Sequence, residues 1–159
     1  MEVLERPLLN PNLSESQLGE SWEVQLNRIL IVEDMLASRE SMARLLQREG
    51  YQTDTARNGA EGLVRLKQNK PDLVLLDQMM PEVDGLTFLA GIRRFPRWKD
   101  LPVIMLTGVK ERSCFMKAQR LGVKECLDKG EFNGPRLLET VQKHLPLMKP
   151  PQPQPQPVG

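Results

Sequence analysis

The feature that most constrains this chain is a set of short apolar runs that return at regular distance. Ile29–Val32 comes first, followed by Tyr51–Ala56, Leu73–Leu76, Val103–Leu106 and Lys124–Leu127. Between them lie stretches with helical periodicity. Met42, Leu45, Leu46 and Glu49 fit one helix, and Ala60, Leu63, Val64 and Lys67 a second. Leu86, Leu89, Ile92 and Arg93 fit a third, Phe115, Ala118 and Leu121 a fourth, and Leu137, Leu138, Val141 and Leu145 a fifth. Short strands alternating with helices predict βαβ units, hence an α/β fold on a parallel sheet. ILIV, LVLL and VIML are apolar without alternation, as central strands are when helices cover both faces. YQTDTA and KECLD alternate more, as flanking strands do.

Five such units fill residues 27–147 of a 159-residue chain and leave no room for a second domain. Residues 1–26 read as an N-terminal extension with five acids and one base. A short helix fits from Leu13 on, since Ser14 and Gln17 match a capping box and Leu18, Trp22 and Leu26 share one face. Residues 148–159 read as a Pro-Gln-rich disordered tail, because alternating Pro-Gln favours polyproline II and packs no core. Six of the thirteen prolines lie between Pro146 and Pro157, so the body has ordinary proline content.

The remaining composition narrows the function classes. A formal charge of +1 excludes binding of polyanions by bulk charge. Cys114 and Cys126 form neither a CxxC pair nor a disulfide framework, which favours a reduced, cytoplasmic setting. The first residues lack a basic region followed by an apolar one, so no secretory signal is read, and no apolar run approaches the ~20 residues that span a bilayer.

In an open parallel sheet, ligands bind beyond the carboxyl ends of the strands. Glu33 and Asp34 follow the first run, Asp77 ends the third, Thr107 and Gly108 end the fourth, and Asp128 and Lys129 end the fifth. The acids Glu33, Asp34 and Asp77, the Thr107 hydroxyl and the Lys129 ammonium are thus expected on one rim. Crowded carboxylates disfavour one another's ionisation unless a cation joins them, and Mg2+ suits an all-oxygen donor set. A carboxylate can attack phosphorus to give an aspartyl phosphate, and a lysine and a threonine can hold phosphate oxygens. Taken singly, each residue has a plainer reading: Asp34 and Asp84 as helix caps, Lys129 as a surface cation.

Together, ILIVEDM, LVLLDQMMPEVDGL, PVIMLTG and GVKECLDKGEF resemble the receiver domain of two-component response regulators, over residues 27–147. The resemblance implies a flavodoxin-like, doubly wound five-stranded parallel sheet of order 2-1-3-4-5 with helices on both faces. It implies Asp77 as phosphoacceptor, and Mg2+ held by Glu33, Asp34, Asp77 and the backbone carbonyl of Met79. Lys129 and Thr107 would bind the phosphoryl group and begin the switch, and Pro81 and Gly85 would shape the loop after the third strand. The implied function is a signalling domain that takes a phosphoryl group from a histidine kinase or histidine phosphotransfer protein. It would catalyse at most its own phosphorylation and dephosphorylation, and would switch contacts with a downstream protein through the face of the fourth helix, fifth strand and fifth helix. A stand-alone receiver is expected, with room for a homodimer. The alternatives are a receiver-fold binding module that is not phosphorylated, and an aspartyl-phosphate-type phosphatase. The phosphatase would need a second acid two residues after the nucleophile, where Met79 stands.

Two positions depart from the family pattern. The fifth strand commonly carries an aromatic three residues before the lysine, where this chain has Cys126. A thiol cannot give the steric signal of a ring, which leaves backbone and the fourth helix to carry the switch. The lysine is usually followed by proline, often cis; Gly130 stands here, and a trans bond is expected. Outside the motif, His144 reads as a surface or capping residue near a helix C-terminus. Eight bases between Arg93 and Arg120 face only Asp100 and Glu111. They read as a solvated basic face or a surface for an acidic partner, since no nucleic-acid recognition module accompanies them.

Overall fold

The non-alternating apolar runs become strands whose successive side chains enter two different cores. The computed structural model describes residues 27–108, 112–131 and 133–147. Along the chain these form β1 (Arg28–Val32), α1 (Leu36–Glu49), β2 (Gln52–Ala56), α2 (Gly59–Asn69), β3 (Leu73–Asp77), α3 (Gly85–Arg93), a 3-10 turn (Pro96–Trp98), β4 (Val103–Thr107), α4 (Arg112–Arg120), β5 (Glu125–Asp128) and α5 (Gly134–His144). All neighbouring strands are parallel, in the order β2-β1-β3-β4-β5. The helix expected from Leu13 and the Pro-Gln tail lie outside the described residues.

Ile29, Ile31, Leu73, Leu75, Ile104 and Leu106 point to one face, where they pack with Met42 and Leu46 of α1 and Leu137 and Val141 of α5. Leu30, Val32, Val74, Leu76, Val103 and Met105 point to the other, against Leu66 of α2, Phe88, Leu89 and Ile92 of α3 and Ala118 of α4. The period of two thus splits each apolar run between two helical layers. Each buried Leu or Ile contributes about 1.5–3 kcal/mol of transfer free energy. No helix among the described residues is long and apolar enough to cross a membrane.

Helix ends follow local chemistry. The Asn58 side chain accepts from Glu61 N, Asp84 from Thr87 N and Asn133 from Arg136 N, each satisfying an orphan donor of the first turn. Gly50, at φ 106°, ends α1 in the left-handed conformation.

Helix α2 turns a different face inward from the one its apolar spacing predicts, while in α4 Ala118 and Leu121 pack inward as predicted and Phe115 alone departs. In α2 the buried residues are Gly59, Gly62 and Leu66, while Ala60, Val64 and Lys67 are exposed. The reason is the Phe88 ring of α3: a Cβ at Gly59 or at Gly62 would sit 3.2 Å from it. In α4, Cys114 and Ala118 are buried and Phe115 is 40% exposed.

Candidate functional site

The strand order sets β1, β3 and β4 side by side at the centre of the sheet, so their carboxyl ends open onto one rim. Asp77 is the last residue of β3 and Thr107 the last of β4, both buried. Glu33 and Asp34 follow β1, and Lys129 follows β5. Glu33 donates its backbone N–H to Ala56, Gln78 to Leu106 and Lys129 to Thr107, which extends the strand ladders by one bond just where the chemistry sits.

At this rim Glu33, Asp34 and Asp77 each present a carboxylate oxygen, all within 4.8 Å of one another. Glu33 and Asp77 are 0% and 1% exposed. Lys129 Nζ lies 2.9 Å from Glu33 Oε2 and 3.0 Å from Asp77 Oδ1, so one ammonium bridges two buried carboxylates. Burial pushes the Glu33 carboxyl above its usual range; the Lys129 hydrogen bond pulls it down, and the neighbouring Asp77 charge pushes it up. Burial would lower the Lys129 ammonium, but its hydrogen bonds to the two carboxylates outweigh that and hold it above its usual value.

The carboxylate oxygens of the site are unevenly satisfied. Glu33 Oε1 accepts from Met35 N at 3.1 Å, and Asp77 Oδ1 accepts from Met79 N at 3.3 Å. Asp77 Oδ2 is buried with no hydrogen-bond partner among the described residues. A buried anionic oxygen without a donor is costly, and here it sits among three carboxylates that suit a hard divalent cation. Asp34 is free for such a role because Met35, not Asp34, occupies the N-cap of α1; Asp84, by contrast, is a cap.

The loop after Asp77 is held by close backbone approach. Gly85 N donates to Gln78 O, and a Cβ at Gly85 would lie 2.5 Å from Asp77 O, so only glycine fits. Pro81 begins a tight turn in which Val83 N donates to its carbonyl, with Glu82 between them at φ 70°. The Met79 side chain is 60% exposed. Two positioning residues have no signal in the sequence pattern. The buried Gln78 accepts Leu86 N on its Oε1, fixing the start of α3. Arg39 Nη1 donates to the carbonyls of Glu33 and Asp34, fixing the acidic turn.

The departures take defined places. Cys126 is half-buried beside Met105 of β4, and burial, with Cys114 nearby, pushes its thiol up to about 11. Gly130 N donates to Asp128 Oδ1, closing a turn, and no peptide bond among the described residues is cis. His144 lies away from the rim, 2.7 Å from Glu125 at the opposite end of β5.

The comparisons agree with this geometry. The family model of the response regulator receiver domain matches residues 29–142. Chemotaxis protein CheY of Bacillus subtilis is 33% identical over 120 residues, covering 75% of this chain and 98% of that protein. Sporulation initiation phosphotransferase F of the same organism is 32% identical over 120 residues, covering 76% and 94%. The phosphate regulon transcriptional regulatory protein PhoB of Rhizobium meliloti is 34% identical, with 79% of this chain and 55% of that protein covered; the chain spans about half the length of such transcriptional regulators. Among solved structures, chemotaxis protein CheY4 of Vibrio cholerae superposes with a TM-score of 0.71 at 29% identity, covering 76% of this chain and 99% of that one. On the sheet order, the acidic rim and these matches, the chain belongs to the response regulator receiver domain family.

Proposed function

We propose that this receiver domain accepts a phosphoryl group on Asp77 from the phosphohistidine of a histidine kinase or phosphotransfer protein. The observation that carries the reading is Asp77 Oδ2, a buried carboxylate oxygen without a donor, beside two further carboxylates and an ammonium. In the transfer, an Asp77 carboxylate oxygen attacks phosphorus and the P–N bond breaks. The donor imidazole leaves with the bonding pair and takes up a proton from solvent. Glu33, Asp34, Asp77 and the Met79 carbonyl would hold Mg2+, which when bound offsets negative charge on the phosphoryl oxygens. Lys129 supplies a second positive charge at the same oxygens, and the Thr107 hydroxyl a donor. Met79, two residues after Asp77, has no proton to give a leaving alcohol, so the site does not suit phosphomonoester hydrolysis.

The phosphorylated site acts on other proteins by shifting a loop and helix equilibrium. The contact surface is the face of α4, β5 and α5, where a groove of about 730 Å3 is lined by Phe115, Cys126, Leu127, Asp128 and Arg136. With Cys126 in place of a ring, the β4–α4 backbone and α4 carry the signal.

The test is incubation of the protein with Mg2+ and acetyl phosphate, read by intact mass. One phosphoryl group is expected on the parent protein and none on Asp77→Asn. Equal labelling of the two proteins rejects Asp77 as the acceptor. Loss of labelling on chelation of Mg2+ tests the metal separately.

A further inference from the structure

The basic stretch between Arg93 and Arg120 is not used by the phosphoryl site; it shapes a groove between α3 and α4. Leu86 and Ala90, four residues apart, form one side of it from α3. Lys117, Arg120 and Leu121, at the same helical spacing, form the other from α4, around a volume of about 430 Å3. Arg93 sets the spacing of the two helices. Its guanidinium donates to the carbonyls of Trp98 and Leu101 at 2.7 Å and of Leu121 at 2.8 Å, which ties the end of α3 to the end of α4. Asp84, the acid in the lining, is engaged as the cap of α3. The groove is thus held open by hydrogen bonds inside the domain, and an occupant does not have to build it.

Its chemistry is divided. Leu86 and Leu121 are half-buried and give it an apolar floor, and the small Ala90 between them is exposed. Lys117 and Arg120 are exposed and make no ion pair among the described residues. Arg94, Arg97 and Lys99, just after α3, and Arg112, at the start of α4, add further exposed cations. A helix seats between two helices by an apolar stripe, and the charge of the walls selects the charge of its flanks. A phosphate backbone has no use for an apolar floor, so the groove suits a protein segment better than a nucleic acid. We propose that the α3–α4 groove is a docking site for an acidic amphipathic helix of a partner protein, its apolar stripe on Leu86, Ala90 and Leu121 and its carboxylates against Lys117 and Arg120. This site is distinct from the α4–β5–α5 surface. Phe115, which lines that surface, and Lys117 are about 200° apart around α4, so the two surfaces use opposite flanks of one helix.

The probe is a synthetic, fluorescein-labelled helical peptide with leucines along one stripe and glutamates on the remaining faces, titrated with the full chain and read by fluorescence anisotropy. A second peptide of the same composition scatters its leucines around the helix. Three proteins are compared: the parent, Lys117→Glu/Arg120→Glu in the groove, and Arg48→Glu/Lys67→Glu, which makes the same charge change on α1 and α2. All four positions are exposed, so the fold is retained, which far-ultraviolet circular dichroism checks. The parent should bind the striped peptide saturably, and the groove variant about tenfold more weakly. The Arg48/Lys67 variant should match the parent, and the scattered peptide should bind about tenfold more weakly than the striped one. Absence of saturable binding to the parent overturns the proposal, as does equal binding of the two peptides or an equal loss in the two variants. Displacement of the striped peptide by an equal concentration of duplex DNA also overturns it, by assigning the cations to nucleic acid.

Discussion

Lys129 Nζ stands 3.0 Å from Asp77 Oδ1 and 2.9 Å from Glu33 Oε2, so a single cation is shared by two carboxylates that are almost wholly removed from water. Removing it leaves both acids buried without a countercharge. Lys129→Ala is expected to lose about 1–3 kcal/mol in chelator, less than for a fully enclosed pair because the lysine is partly exposed. A divalent cation binding the same acids restores part of that loss. Urea unfolding with and without Mg2+ checks this: the deficit should shrink in Mg2+, and a deficit of the same size in both conditions contradicts a shared site.

Asp34 has the opposite balance. It is half-buried, caps no helix and leaves the N-cap of α1 to Met35. Asp34→Asn should therefore change stability in chelator by no more than about 0.5 kcal/mol, as expected of a surface-like position. Mg2+ affinity, measured by calorimetric titration, should fall clearly. An unchanged affinity excludes Asp34 from the metal site.

These two residues also show why the site was legible in the sequence. The apolar runs fix where each strand stops, and the first polar side chain after each stop must lie on the rim, so Glu33, Asp34, Asp77, Thr107 and Lys129 could be placed together from their order alone. The two helical layers follow from the same runs, whereas the sheet order β2-β1-β3-β4-β5 is expected only from the resemblance to the receiver family. What was not legible depends on distant neighbours. The inward face of α2 consists of Gly59 and Gly62, which carry no hydrophobic signal; the space is filled by Phe88 from the next helix. Gln78 and Arg39 are ordinary polar residues until the fold brings Leu86 N to one and two carbonyls of the acidic turn to the other. Asp34 and Asp84 look alike as cap candidates, and only the backbone at Met35 separates them.

Two glycines of α3 should respond in opposite directions to the same substitution. A Cβ at Gly85 meets Asp77 O at 2.5 Å and Gln78 Cα at 2.9 Å, both backbone atoms that cannot yield without moving the phosphoacceptor loop. Gly85→Ala should destabilise by at least about 1–3 kcal/mol and weaken Mg2+ binding. A Cβ at Gly91 meets nothing within 4 Å, and Gly91→Ala should stabilise the helix by about 0.5–1 kcal/mol. Urea midpoints of the two variants decide it, and a neutral Gly85→Ala would show that the loop is looser than its contacts imply.

The carboxylate at the far end of β5 sets a pH dependence separate from the phosphoryl site. Burial would raise the Glu125 carboxyl, but His144 at 2.7 Å and Lys143 at 3.5 Å outweigh it and hold the group below its ordinary value of 4.5. A carboxylate depressed in the folded state stabilises the fold above its unfolded pKa, and that contribution disappears as pH falls through the lower folded value. The parent protein should therefore lose stability more steeply than Glu125→Gln as pH is lowered from about 5 toward 3, while near neutrality Glu125→Gln should be the less stable of the two. Urea midpoints at a series of pH values measure both curves. If they run parallel through the acid range, the Glu125–His144–Lys143 cluster does not contribute to acid stability. If they converge, the end of α5 is fastened to the edge strand β5 by a charge that acid removes.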